Sequence, residues 1–130
     1  MKKIIGTYLF LILFVSVFTA QNMEAQIKEV NAQTVKKTLA TEKNWVVLDV
    51  RTPEEFSQGH IPGAVNINLY QNDAMDKISK LDKNGKYIVY CRTRNRSGVV
   101  AEHMVKNGFK TVHQMVDGIG GWNQANSTVK

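Results

Sequence analysis

Tyr87-Ile88-Val89-Tyr90-Cys91-Arg92-Thr93-Arg94-Asn95-Arg96-Ser97-Gly98-Val99-Val100-Ala101 contains a strand, a short loop and a helix start in fifteen residues. The apolar and β-branched run Tyr87–Tyr90 has the make-up of a buried strand and stops at Cys91, the only cysteine of the chain. Five polar residues follow, three of them arginines. Ser97 then stands where a helix N-cap is expected, ahead of Val99, Val100, His103, Met104 and Val105 at helical spacing. A strand, a tight loop and a helix N-terminus turn successive backbone N–H groups toward one point and add the positive end of the helix dipole. A sulfur at that point is expected as a thiolate.

The flanking segments repeat the same alternation. Ile27–Val30 reads as a short edge strand, and Asn31 as the cap of a helix over Ala32–Ala40. Trp45–Val50 is a continuous apolar run of strand length, as expected for a strand covered on both faces. Thr52-Pro53-Glu54-Glu55-Phe56 has a cap, a proline at the first helical position and acids in the first turn, with Gly59 ending the helix. His60-Ile61-Pro62-Gly63 is turn chemistry, with a third strand over Ala64–Ile67 and a helix over Asp73–Leu81. Asn84-Gly85 turns the chain into Tyr87–Tyr90, and Asn107-Gly108 ends the helix that follows. Thr111–Val116 is a last strand, and Gly118–Trp122 leads into a short terminal helix or loop. Alternating strands and helices predict an α/β fold, a central parallel sheet of about five short strands with helices on both faces. In such sheets ligands bind beyond the carboxyl ends of the strands, where Cys91 falls.

At 130 residues the chain holds one domain. Met1-Lys2-Lys3 followed by the uncharged, mostly apolar Ile4–Phe18 reads as a signal peptide, cut after Ala20 or Ala25. The apolar run is shorter than the roughly 20 residues of a spanning helix. The expected division is therefore residues 1–25 as signal peptide and connector and 26–130 as the domain. Export is expected, to the periplasm in a Gram-negative source. The net charge of +6 includes Lys2 and Lys3. No basic stripe with interleaved aromatics points to nucleic acid. The arginines concentrate after Cys91, which favours small anions. One cysteine in an exported protein makes no internal disulfide, and its place between strand and helix favours a reactive thiol.

Three motifs carry a resemblance. Asp49-Val50-Arg51-Thr52-Pro53-Glu54-Glu55-Phe56 leads to Gly59-His60-Ile61-Pro62-Gly63-Ala64-Val65-Asn66-Ile67. Tyr90-Cys91-Arg92-Thr93 continues to Asn95-Arg96-Ser97, and Gly118–Trp122 closes the domain. Over about Ile27–Trp122 the chain resembles the single-domain rhodaneses, thiosulfate sulfurtransferases. Its apparent signal segment makes it similar to an exported type, the periplasmic sulfurtransferase of the phage-shock response. The resemblance implies a rhodanese-like three-layer α/β/α fold with Cys91 as nucleophile. It also implies transfer of a sulfane sulfur from thiosulfate or a similar anion to cyanide or a thiol through a Cys91 persulfide. Arg92, Thr93, Arg94, Asn95, Arg96 and Ser97 would bind the substrate, Arg96 first among them, with Thr93 and Asn95 giving mainly backbone amides. Arg94 departs from the familiar loop, which has glycine there. If that position needs a positive φ, an arginine costs about 1 kcal/mol or more.

Asp49 and Arg51 lie at a strand's carboxyl end as supporting residues, with Arg51 expected to pair with Glu55. His60 is expected to brace its turn, and Trp45 and Trp122 to pack. His103 and His113 have no ligand-like spacing with His60, so neither metal nor cofactor is expected. A protein sulfur acceptor is a further expected partner. Two rivals remain. Phosphatases and arsenate reductases of similar architecture place five residues between cysteine and arginine; here four separate Cys91 from Arg96, a tighter cradle suited to sulfur. A persulfide carrier working with a protein partner would show the same sequence.

Overall fold

The structure, a computed structural model, describes residues 25–127. The expected signal run lies outside the described residues. Five strands form one parallel sheet: β1 (Ile27–Val30), β2 (Trp45–Asp49), β3 (Val65–Asn66), β4 (Lys86–Tyr90) and β5 (Thr111–Met115), in the order β1-β5-β4-β2-β3. The helices are α1 (Ala32–Thr41), α2 (Pro53–Ser57), α3 (Ala74–Ser79), α4 (Asn95–Lys106) and α5 (Gly118–Asn126). The expected three-layer α/β/α arrangement with a central parallel sheet of five strands is the one observed.

The period-two pattern of the central strands builds two cores. Leu48, Tyr87, Val89, Cys91 and Val112 face one layer, where Ile78 of α3 and Val100, Ala101 and Met104 of α4 cover them. Val47, Ile88, Tyr90 and Met115 face the other, against Ala32 and Val35 of α1 and Ile119 and Trp122 of α5. Because β4 is buried on both faces, its alternation is invisible as polarity and shows only as which residues share a side.

Local chemistry fixes the ends. Asn31 caps α1 by accepting from the Thr34 amide at 2.9 Å. Thr52 and Glu55 form a reciprocal capping box at α2. The third strand is shorter than the expected Ala64–Ile67, because only Val65 and Asn66 pair with β2. Asn66 then spends its side-chain amide on the carbonyls of Asp49 and Arg51, at 3.0 and 2.9 Å. The Gly118–Trp122 segment, open between helix and loop from sequence, begins a nine-residue helix. No described helix is long and apolar enough to cross a membrane.

Candidate active site

Cys91 follows directly on β4 at the carboxyl end of the sheet, and four residues later the chain is already helical. The expected N-cap is corrected here. Helix α4 starts at Asn95 with Arg94 in the cap position, and Ser97 sits inside the first turn, fully buried. Its hydroxyl faces the Arg94 carbonyl at 3.2 Å, and its amide donates to Cys91 Sγ at 3.4 Å. A helix leaves its first amides without internal acceptors, and here the sulfur satisfies one of them. The hydroxyl stands 3.5 Å from the same sulfur, as acceptor for the thiol. The amides of Arg92, Thr93, Arg94, Asn95 and Arg96 have no acceptor among the described residues. Cys91 is only 1% exposed, with apolar neighbours below it and this polar loop above.

The loop is held from behind. Helix α5 begins against it: the Ile119 amide donates to the Cys91 carbonyl at 3.0 Å. Gly118, at φ +62°, lies so close that a Cβ there would stand 2.1 Å from the Arg92 carbonyl oxygen. Glycine is required here for both its dihedral and its missing side chain. From β5, Gln114 donates to the Arg94 carbonyl at 2.8 Å and to the Ser97 hydroxyl at 3.0 Å.

The three loop arginines separate into different roles. Arg94 has φ −136°, so the backbone cost considered for it does not arise. Its guanidinium is spent on Glu29 at 2.7 Å, on the exposed rim. Arg96, expected to lead in substrate contact, is instead gripped at both ends by Glu55, at 2.7 and 3.0 Å, and lies over the Tyr70 ring at 5.5 Å. That bidentate pair holds the Glu55 carboxyl down at about 2. Arg92 has no carboxylate partner among the described residues. It lines an open cleft of about 370 Å³ together with Arg51, Glu55, Gln58, Gly59, Ile119 and Asn123. Cys91 is not among the residues that line this cleft, although it precedes Arg92, which is.

The expected Arg51–Glu55 pair does not form, because Arg51 turns inward instead. Asp49, fully buried at the end of β2, takes Arg51 Nη2 at 2.7 Å, Arg51 Nε at 3.0 Å and the Tyr90 hydroxyl at 2.6 Å. Arg51 also donates to the Gly59 carbonyl at 2.8 Å, and Tyr90 accepts from the Ile61 amide at 3.1 Å. Burial pushes the Tyr90 phenol well above its ordinary range, with Asp49 adding to the rise. Asp49 and Arg51 thus fix the Gly59–Ile61 turn that walls the cleft. His60 braces the same turn, with Nδ1 2.8 Å from the Phe56 carbonyl and its ring stacked on Phe56.

Sequence reasoning missed Gln114, Tyr90 and the cleft residues Gln58 and Asn123. The available signal for Gln114 was its parity with Val112, which places it on the same face of β5 as a core residue. Gln58 and Asn123 carried none, since polar residues on short helices usually face water.

A family profile described as Rhodanese-like domain matches residues 31–125. YtwF of Bacillus subtilis, which bears a provisional sulfurtransferase name, is 35% identical over 88 residues, 68% of this chain and 84% of that one. The thiosulfate sulfurtransferase GlpE of Coxiella burnetii is 29% identical over 90 residues, 69% of this chain and 82% of its own. A rhodanese-like domain protein from Staphylococcus aureus superposes with a TM-score of 0.68 at 28% identity, covering 80% of this chain and 99% of that one. With the five-stranded parallel sheet, the loop after β4 and the profile spanning most of its length, the chain belongs to the family of rhodanese-like domains.

Proposed function

We propose that this protein is a sulfurtransferase in which Cys91 is the nucleophile. The Cys91 thiolate attacks the outer sulfur of thiosulfate or a similar anion; the S–S bond of the donor breaks and sulfite leaves with the electron pair. The resulting persulfide is then attacked at its terminal sulfur by cyanide or a thiolate acceptor, which takes that sulfur and returns the Cys91 thiolate. The observation carrying this reading is the sulfur's place under the α4 N-terminus, with the Ser97 amide on it. Five further loop amides without acceptors supply donors for a second, negatively charged sulfur. Arg92, on the cleft and without a carboxylate partner among the described residues, is the cation best placed to draw an anionic donor. The YtwF and GlpE names support sulfur transfer as the chemistry, and GlpE supports thiosulfate as donor. The basic start and apolar run of residues 1–18 support export, tested by fractionating cells that express the full chain.

The deciding experiment is intact mass after thiosulfate treatment. The expected result is a gain of about 32 Da, one sulfur atom, on the wild type and none on Cys91→Ser. Equal thiosulfate:cyanide turnover by both would refute Cys91 as nucleophile. Loading without turnover to cyanide or small thiols would favour the carrier reading instead.

A further inference from the structure

We infer that Gln114 is a positioning residue for Cys91, acting through the Ser97 hydroxyl to leave that hydroxyl's proton available to the thiolate. The inference rests on the sulfur-transfer reading for its purpose but not for its geometry.

The argument is a count of protons and lone pairs. Gln114 projects from the middle of the sheet toward α4, on the same side as Val112, and is 4% exposed. The atom facing the Arg94 carbonyl at 2.8 Å has to be the NH₂ group, because that carbonyl only accepts. The same NH₂ group also donates to Ser97 Oγ at 3.0 Å. The Arg94 carbonyl also accepts the Gly98 amide at 3.0 Å, so both of its lone pairs are occupied. The Ser97 hydroxyl has one proton and two directions for it: the Arg94 carbonyl at 3.2 Å, or Cys91 Sγ at 3.5 Å.

While Cys91 is a thiol, its S–H donates to Ser97 Oγ and the hydroxyl proton points at the Arg94 carbonyl as a third and longest donor, after Gln114 and Gly98. When the thiol proton leaves, the hydroxyl turns and donates to the sulfur, joining the Ser97 amide. The turn strands no buried acceptor, because Gln114 already satisfies the Arg94 carbonyl, and it keeps one Oγ lone pair filled. Without Gln114 the same carbonyl competes for the serine proton, and the thiolate loses a charge-assisted donor. A bond of that kind favours the charged form over the neutral one. An aliphatic residue would fill this core position with no buried amide to satisfy. The amide at this place therefore has a use beyond packing.

The test follows the ultraviolet absorbance of the Cys91 thiolate across a pH titration, in the full chain, for wild type, Gln114→Met, Ser97→Ala and the double variant. Ser97→Ala, which removes the donor, is expected to move the midpoint upward, and Gln114→Met to move it upward by no more than Ser97→Ala does. The double variant is expected to move it no further than Ser97→Ala alone, because both changes remove the same bond. Gln114→Leu serves if the methionine variant does not fold. It removes the same donor without adding a charge, so its midpoint is expected to rise in the same way. An unchanged midpoint in a folded Gln114→Met or Gln114→Leu would overturn the inference, as would additive shifts in the double variant. Sulfur loading of the wild type is measured in parallel. Its failure would sink the transfer reading alone, since the titration requires no donor.

Discussion

Gly118→Ala tests how the site is built. The added Cβ would stand 2.1 Å from the Arg92 carbonyl oxygen, 2.5 Å from its carbon and 2.9 Å from the Thr93 nitrogen. All three are main-chain atoms, so no rotamer change relieves the overlap. The φ of +62° adds about 1–2 kcal/mol for any residue with a side chain. Moving the loop or the start of α5 aside adds about 1–3 kcal/mol, as other overpacking changes do. Together these are about 2–5 kcal/mol, or roughly 8–40 °C in Tm at 4–8 °C per kcal/mol for a domain of this size. The loop that moves is the one carrying Cys91, so sulfur loading should slow as well. Gly120→Ala is the matched control, because nothing lies within 4 Å of its Cβ. In the first turn of α5 it should be neutral or stabilise by about 0.5 kcal/mol. Thermal melts and the mass-based loading rate read both effects. A Gly118→Ala variant that melts within two or three degrees of wild type (about half a kcal/mol) and loads at the same rate would refute the reasoning.

Four other outcomes are expected. The Glu55 carboxyl, held at about 2 by Arg96 against an ordinary 4.5, has a lowered pKa in the folded state. Its contribution is therefore complete above about 4.5 and lost as pH falls toward 2. The full drop corresponds to roughly 3 kcal/mol, reduced to about 1–2 by the pair's partial exposure; urea midpoints of Glu55→Gln should approach wild type's below pH 3 and fall short of it at neutral pH. Asp49→Ala leaves Arg51 buried and unpaired, at a cost of about 3–5 kcal/mol in chemical denaturation, and adding Arg51→Met should recover part of it. Arg92→Ala should raise the thiosulfate KM in a salt-dependent way with less than about 0.5 kcal/mol of stability change. Arg94→Gly should alter neither KM nor stability by more than about 0.5 kcal/mol, since its backbone is unstrained and its ion pair exposed.

Much of the fold was legible because its signals are local. A proline behind Thr52, the apolar run Trp45–Val50 and the glycines after Asn84 and Asn107 act within a few residues, and they set strand, helix and turn correctly. Cys91 was legible for the same reason, lying at the junction of two such signals. Ser97 shows the limit of local reading. A serine before an apolar helix looks like a cap, but the cradle's tightness pulls the helix start back to Asn95 and leaves the hydroxyl inside.

The order of residues alone determined that a sulfur would stand at a strand end beneath a helix N-terminus, because both elements are short-range consequences of composition and spacing. Only the tertiary structure decided the partners of the charges. Glu55 and Arg96, 41 positions apart, meet because β2 and β4 run side by side, while Arg51 pairs with Asp49 and Arg92 lines the cleft. Gln114 reaches Ser97 and Gly118 reaches Arg92 for the same reason: β5 lies beside β4 in the sheet. Ion pairs and hydrogen bonds act over a few ångströms of space, and distance along the chain carries no record of which groups the sheet will bring that close.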